Sequence, residues 1–137
     1  MPRILALDYG AKRTGLAVTD PLKIIANSLE VVPTHQLEQF LMDYFKAEAV
    51  ETVVVGKPTN TNGSDTDATP LVNAFVNRFR KVFPDKKLVL HDERFTSKMA
   101  FEAMLAGGLK KKDRQNKGTV DKVSATIILQ SYLEHIS

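Results

Sequence analysis

The chain has 137 residues, with 19 Lys and Arg against 16 Asp and Glu, a formal net charge of +3 and no cysteine. That length suits one domain around a single core, and the lack of thiols excludes disulfides and thiolate metal sites, so any metal must be held by oxygen or histidine. The apolar run after Arg3 is broken by Asp8, far short of a signal-peptide core, and no segment approaches membrane-spanning length; the expectation is a soluble cytoplasmic protein with no membrane partner.

The excess of positive charge is small. If some acids are gathered in one site, the remaining surface is more basic than the total, which favours a polyanionic partner.

Ile4 to Leu7 is an apolar run that ends in a lone carboxylate, Asp8. This is the pattern of a buried strand delivering an acid to the edge of a sheet. Gly10 and Gly15 bracket Ala11-Lys12-Arg13-Thr14 before a second apolar run, which predicts a hairpin with Asp8 just before the turn. A carboxylate beside a basic, glycine-bracketed turn suits phosphate chemistry. The acid can hold a divalent cation, while backbone N–H groups and Lys12 or Arg13 meet phosphate oxygens. An Asp at a strand end is also a common turn former, so the functional reading depends on further acids joining it.

Lys23 to Val32, bounded by Pro21 and Pro33, reads as a third strand. Leu37, Phe40, Leu41, Tyr44 and Phe45 recur at helical spacing, which predicts an amphipathic helix over Thr34 to Ala47 with Thr34 as its cap. Glu51 to Gly56 is a β-branched run of parallel-strand type, and it empties into a polar loop from Lys57 to Asp65. Open α/β sheets place ligands at such strand ends, although the composition equally fits a solvated connection. Leu71, Val72, Phe75, Val76, Phe79, Val82 and Phe83 predict a second apolar helix, ending before Pro84.

The strand expected from Lys87 to Leu90 terminates in His91-Asp92-Glu93-Arg94, so charge again follows an apolar run. Ser97 then caps a helix over Met99, Phe101, Met104 and Leu105 that stops at Gly107-Gly108. Lys110 to Gly118 has five cations, one acid and no apolar residue, and reads as a surface loop. Thr119 to Ile136 is the last predicted helix, with Val120, Val123, Ile127, Ile128 and Leu133 as its apolar positions. Early antiparallel hairpins followed by helical crossovers give an α/β mixed sheet, a three-strand meander plus parallel strands, with helices on both faces.

Asp121 shares a helical stripe with Ala125, Ile128 and Tyr132, which should face the sheet. A carboxylate there is costly unless paired or bound to metal, although a first-turn acid also complements a helix dipole. Asp8, Asp121 and one of Asp92 or Glu93 can therefore converge. Clustered carboxylates repel one another unless a divalent ion neutralises them, and oxygen donors favour Mg²⁺ or Mn²⁺. Such a centre suits hydrolysis of phosphodiesters.

Four blocks carry a family resemblance. They are Ile4-Leu5-Ala6-Leu7-Asp8-Tyr9-Gly10 with Gly15, Val55-Gly56-Lys57-Pro58 with Asn62-Gly63-Ser64, Asp92-Glu93-Arg94-Phe95-Thr96-Ser97, and Asp121-Lys122-Val123-Ser124-Ala125 with Ile128-Leu129-Gln130-Ser131-Tyr132. In this order the blocks resemble the YqgF family of bacterial pre-16S rRNA nucleases and Holliday junction resolvase-like proteins, over nearly the whole chain. The resemblance implies a ribonuclease-H-like fold, maturation of the 5′ end of 16S rRNA, and an acidic triad of Asp8, Glu93 and Asp121. It also implies that the third ligand is Glu93 rather than Asp92. Lys57 stands where family members often carry an apolar residue.

The candidate substrate contacts are Lys12 and Arg13 in the turn, Lys57 and Asn62 in the loop, Arg94 after the third acid, and Lys110, Lys111, Lys112, Arg114 and Lys117 in the basic stretch. The expected partner is structured RNA or branched DNA, bound by a monomer or a homodimer. Two other classes compete. A nucleotide-binding module is suggested by the likeness of the Asp-x-Gly hairpin to the phosphate loop of actin-type ATPases, which need two such domains. A non-catalytic RNA-binding factor would need only the basic loop.

Overall fold

A computed structural model describes residues 2–20, 22, 26–57, 69–92 and 117–136, with backbone alone at 57, 69, 92 and 117–123. Several sequence expectations lie outside the described residues: Ile24 and Ile25, the loop with Asn62, Glu93 and Arg94, the helix after Ser97, and Lys110, Lys111, Lys112 and Arg114.

The chain runs β1 (Arg3–Asp8), β2 (Arg13–Thr19), β3 (Ala26–Pro33), a 3-10 turn (Thr34–Gln36), α1 (Leu37–Ala47), β4 (Val50–Lys57), α2 (Thr69–Val82), β5 (Lys87–Asp92) and α3 (Lys117–Ile136). The sheet order is β3-β2-β1-β4-β5. β1 pairs antiparallel with β2, and β2 with β3, whereas β4 runs parallel to both β1 and β5. This is the mixed sheet that the element order predicts.

β1 and β4 occupy the middle because their residues are apolar on both faces, as a strand covered on both sides requires. Leu5, Leu7, Leu16, Val18, Val53 and Val55 point one way, into a core closed by Leu37 and Leu41 of α1 and by Val72, Val76 and Phe79 of α2. Ile4, Ala6, Ala17 and Val54 point the other way, onto Ala125, Ile128, Leu129 and Tyr132 of α3. Each large aliphatic side chain so buried contributes roughly 1.5–3 kcal/mol. Alanines at 6, 17 and 125 leave little bulk between α3 and the sheet. The helices thus lie on both faces: α1 and α2 on one, α3 on the other.

Some boundaries differ from the sequence reading. The described third strand is Ala26–Pro33, because its pairing runs from Thr19 opposite Ala26 to Arg13 opposite Pro33. Pro33 is tolerated there, at the end of an edge strand. α1 begins at Leu37, after a 3-10 turn, and Thr34 does not cap it. The Thr34 hydroxyl instead donates to the Gly10 carbonyl oxygen at 2.6 Å. α3 begins at Lys117, so Lys117 and Gly118 belong to the helix rather than to the loop before it. The first N–H groups of a helix lack intrahelical partners anyway, so polar residues and a glycine are accommodated in its first turn. Leu129 and Tyr132 join Ile127 and Ile128 as buried α3 positions, while Leu71 of α2 is exposed.

Candidate active site at the carboxyl ends of the central strands

β1, β4 and β5 are parallel to one another, so their last residues, Asp8, Lys57 and Asp92, lie at the same end of the sheet. Asp8 pairs with Gly15 of β2. On its other side the register pairs Leu7 with Val55, so Gly56 is next to Asp8, and Gly56 in turn pairs with His91 of β5. One row across the sheet is therefore Gly15, Asp8, Gly56, His91.

Strand alternation assigns that row a face. Ile4 and Ala6 pack with α3, so the half-buried Asp8, two residues further on, projects on the α3 side. Ala17 and Val54 obey the same parity, which gives Gly15 and Gly56 that side too. Both strands that flank Asp8 thus present glycine beside the carboxylate. Neither neighbour has a side chain to fill the space, which leaves room for an ion or a phosphate group.

The turn after Asp8 is built tightly. A Cβ on Gly10 would collide with the carbonyl oxygen of Arg13, so no other residue fits the observed backbone. Thr34, the first residue after β3, holds the turn: its amide donates to the Lys12 carbonyl at 2.9 Å, and its hydroxyl bonds Gly10 and lies 3.0 Å from that of Thr14. Tyr9 leaves the row on the opposite side, where its ring stacks on Phe75 of α2 with centroids 4.6 Å apart. Burial there pushes its phenol above the usual value. Lys12 is exposed at the tip of the turn, and Arg13, half-buried, opens β2.

At the β5 end of the row, His91 Nε2 and Ser131 Oγ of α3 are 2.8 Å apart. The His91 ring also meets Tyr132 and His135 edge-on, at 6.2 and 6.4 Å between centroids. α3 therefore reaches β5 near its carboxyl-terminal half and packs across β4, β1, β2 and β3 as well. Asp121 is in the first turns of that helix, ten residues before Ser131, or about 15 Å along the axis.

Of the predicted site residues, the structure brings Asp8, Lys12, Arg13, Lys57 and Asp92 to one end of the sheet. Asp121 and Lys117 are carried by the backbone of α3, and Asn62, Glu93, Arg94, Lys110, Lys111, Lys112 and Arg114 are outside the described residues. Among the described residues no three His, Cys, Asp or Glu side chains gather closely enough to hold a metal ion, and of the predicted triad Asp8 alone has a described side chain. Thr34 and His91 are site neighbours that sequence periodicity did not single out. Thr34 resembles an ordinary helix cap in sequence, and only strand pairing brings it to Gly10.

The family described as "RuvX: Holliday junction resolvase" matches residues 2–135. A relative from Flavobacterium johnsoniae, named as a pre-16S rRNA nuclease, is 56% identical over 133 residues, covering 97% of this chain and 96% of its own. Another of that name, from Phocaeicola vulgatus, is 58% identical over 134 residues, with 98% and 96% covered. Among solved structures, T. thermophilus RuvC in complex with Holliday junction substrate superposes with a TM-score of 0.57 at 16% identity, over 98% of this chain and 96% of that one. That likeness shows a shared fold, the ribonuclease-H-like sheet expected from the sequence. The family match over nearly the whole length, with relatives more than half identical, shows that the chain belongs to the RuvX family, the YqgF family of the sequence motifs.

Proposed function

We propose that this protein is a metal-dependent nuclease that hydrolyses phosphodiester bonds in RNA, acting in the cytoplasm on the 5′ end of the 16S rRNA precursor. The observation that carries the reading is the setting of Asp8: a carboxylate at the end of the central strand, between two glycines and beside a basic turn. The names of the relatives supply the substrate.

The donor chemistry fits a hard divalent ion. The chain has no thiol, and the acids nominated for the centre offer only oxygen. Asp8, Glu93 and Asp121 would hold Mg²⁺ or Mn²⁺. Such ions offset the mutual repulsion of the carboxylates and stabilise charge on a reacting phosphate. Glu93 is preferred to Asp92 because the family motif Asp92-Glu93-Arg94 implies it. Asp121 falls on the stripe of Ala125, Ile128 and Tyr132, the residues α3 buries against the sheet.

The cations have a separate task. Lys12 and Arg13 hold phosphate oxygens near Asp8, and Lys57, Arg94 and the side-chain amide of Asn62 add further contacts. Lys110, Lys111, Lys112, Arg114 and Lys117 grip the backbone further along, without reading bases.

A second reading, a resolvase cutting branched DNA, draws on the family description and the RuvC fold. It would call for a homodimer, whereas RNA trimming suits a monomer. One experiment separates them: cleavage of an rRNA precursor fragment beside a four-way DNA junction, with Mg²⁺, with Mn²⁺ and with chelator. The expected outcome is cleavage of the RNA alone, and only with metal. Asp8→Asn and Glu93→Gln should abolish it with RNA binding retained, and Asp92→Asn should cost less. Junction cleavage without RNA cleavage would favour the resolvase, and full activity of Asp8→Asn would remove Asp8 from the chemistry.

A further inference from the structure

We propose that Thr34 is a positioning residue: it rotates the Gly10–Ala11 peptide so that the Ala11 N–H forms a phosphate subsite in the β1–β2 turn. The inference rests on the nuclease reading and deepens it, by naming which backbone N–H of the turn meets phosphate and which side chain orients it.

The direction of the hydrogen bonds carries the argument. Thr34 Oγ1 has one proton and gives it to the Gly10 carbonyl at 2.6 Å. The 3.0 Å contact between the Thr14 and Thr34 hydroxyls must then be donated by Thr14. Thr14 is completely buried, so this bond also satisfies a hydroxyl that water does not reach. The resulting relay runs from Thr14 to Thr34 to Gly10, each bond polarising the next. Backbone adds a second tether, from the Thr34 amide to the Lys12 carbonyl at 2.9 Å.

Both carbonyls are therefore drawn towards Thr34. In a trans peptide the C=O and the following N–H point in opposite directions. With the Gly10 carbonyl turned in, the Ala11 N–H is turned out. Ala11 is exposed, and its amide makes no bond to another described residue. Lys12, also exposed, follows it immediately. The lack of a Cβ at Gly10, where one would meet the Arg13 carbonyl, permits this compact form of the loop. An outward amide and an exposed lysine thus follow one another, three and four residues after Asp8. They offer a phosphate one neutral and one charged donor.

A neutral amide and a cation have different signatures in binding. Displacing counterions requires charge, so losing Lys12 should lower the slope of log K against log salt by roughly 0.7–0.9. An amide contact releases none. The test is binding of a 5′-fluorescent single-stranded RNA from the precursor end across a salt series, with cleavage rates measured from sub-saturating to saturating RNA. Thr34→Val is expected to weaken binding about tenfold at unchanged salt slope, raising KM while kcat stays near wild type. Thr34→Ser, which keeps the hydroxyl, should restore affinity. Ala11→Pro deletes the amide itself and should match Thr34→Val; it also serves if Thr34→Val does not fold. Wild-type affinity in both variants, with only the melting temperature lowered, would overturn the proposal, as would a loss carried by a shallower slope. Wild-type protein that binds no RNA would instead overturn the nuclease reading.

Discussion

Gly10 has no side chain because the Arg13 carbonyl occupies the place where a Cβ would go. The obstacle is backbone, which cannot swing aside like the end of a long side chain. Gly10→Ala is therefore expected to destabilise the fold by about 1–3 kcal/mol through strain. Urea denaturation measures this, and an unchanged midpoint would show that the turn yields freely. Gly15 and Gly56 act differently: they leave space beside Asp8 rather than avoiding a collision. Tyr9 and Asp8 show the same economy at adjacent positions, one anchored on Phe75 towards α2 and the other projecting towards α3. A single residue step at the strand end thus separates the core contact from the reactive group.

Between elements, α1 and α2 border a cleft of about 280 Å³ lined by Tyr9, Leu37, Leu41, Phe75 and Phe79. Arg78 of α2 crosses to Glu38 of α1 with Nε at 2.9 Å from one carboxylate oxygen and a terminal nitrogen at 3.4 Å from the other. The hydrogen bond from Arg78 holds the Glu38 carboxyl below its usual range. A depressed carboxylate stabilises the fold above its unfolded pKa, and that gain is lost as pH falls through the lower, folded value. The pair is exposed, so the gain is small and screened by salt. Wild type should then exceed Glu38→Gln in melting temperature at neutral pH, with the difference lost as acid protonates the carboxylate in the folded state. A difference that survives strong acid would assign the effect to helix packing instead.

For the molecule as a whole, the proposed carboxylate centre couples metal to stability. Ions that bind only the folded chain stabilise it by mass action, about 1.4 kcal/mol when present at tenfold over Kd. For a domain of this size the corresponding rise in melting temperature is on the order of 4 °C. Wild type is expected to show that rise with Mg²⁺ or Mn²⁺. Asp8→Asn should start slightly higher in chelator, where repulsion is relieved, and then gain nothing from metal. Equal shifts in both proteins would detach Asp8 from the ion.

Much of this was legible in the chain. The runs at Ile4–Leu7 and Val53–Val55 and the helical spacing of Val72, Val76 and Phe79 declare strands and a helix, because burial periodicity is a local property of consecutive residues. Asp8 at the end of such a run is equally local. Tertiary structure alone decided what stands beside it. The row of Gly15, Asp8, Gly56 and His91 comes from pairings between residues seven to forty-eight positions apart, which no local pattern encodes. Thr34 shows the limit most clearly. As a sequence it is a helix cap, but the edge strand before it pairs Pro33 with Arg13 and so delivers its hydroxyl to Gly10, 24 residues away. A hydroxyl makes whichever strong bond the fold brings within reach, and strand register, set by the burial of both sheet faces, made that choice.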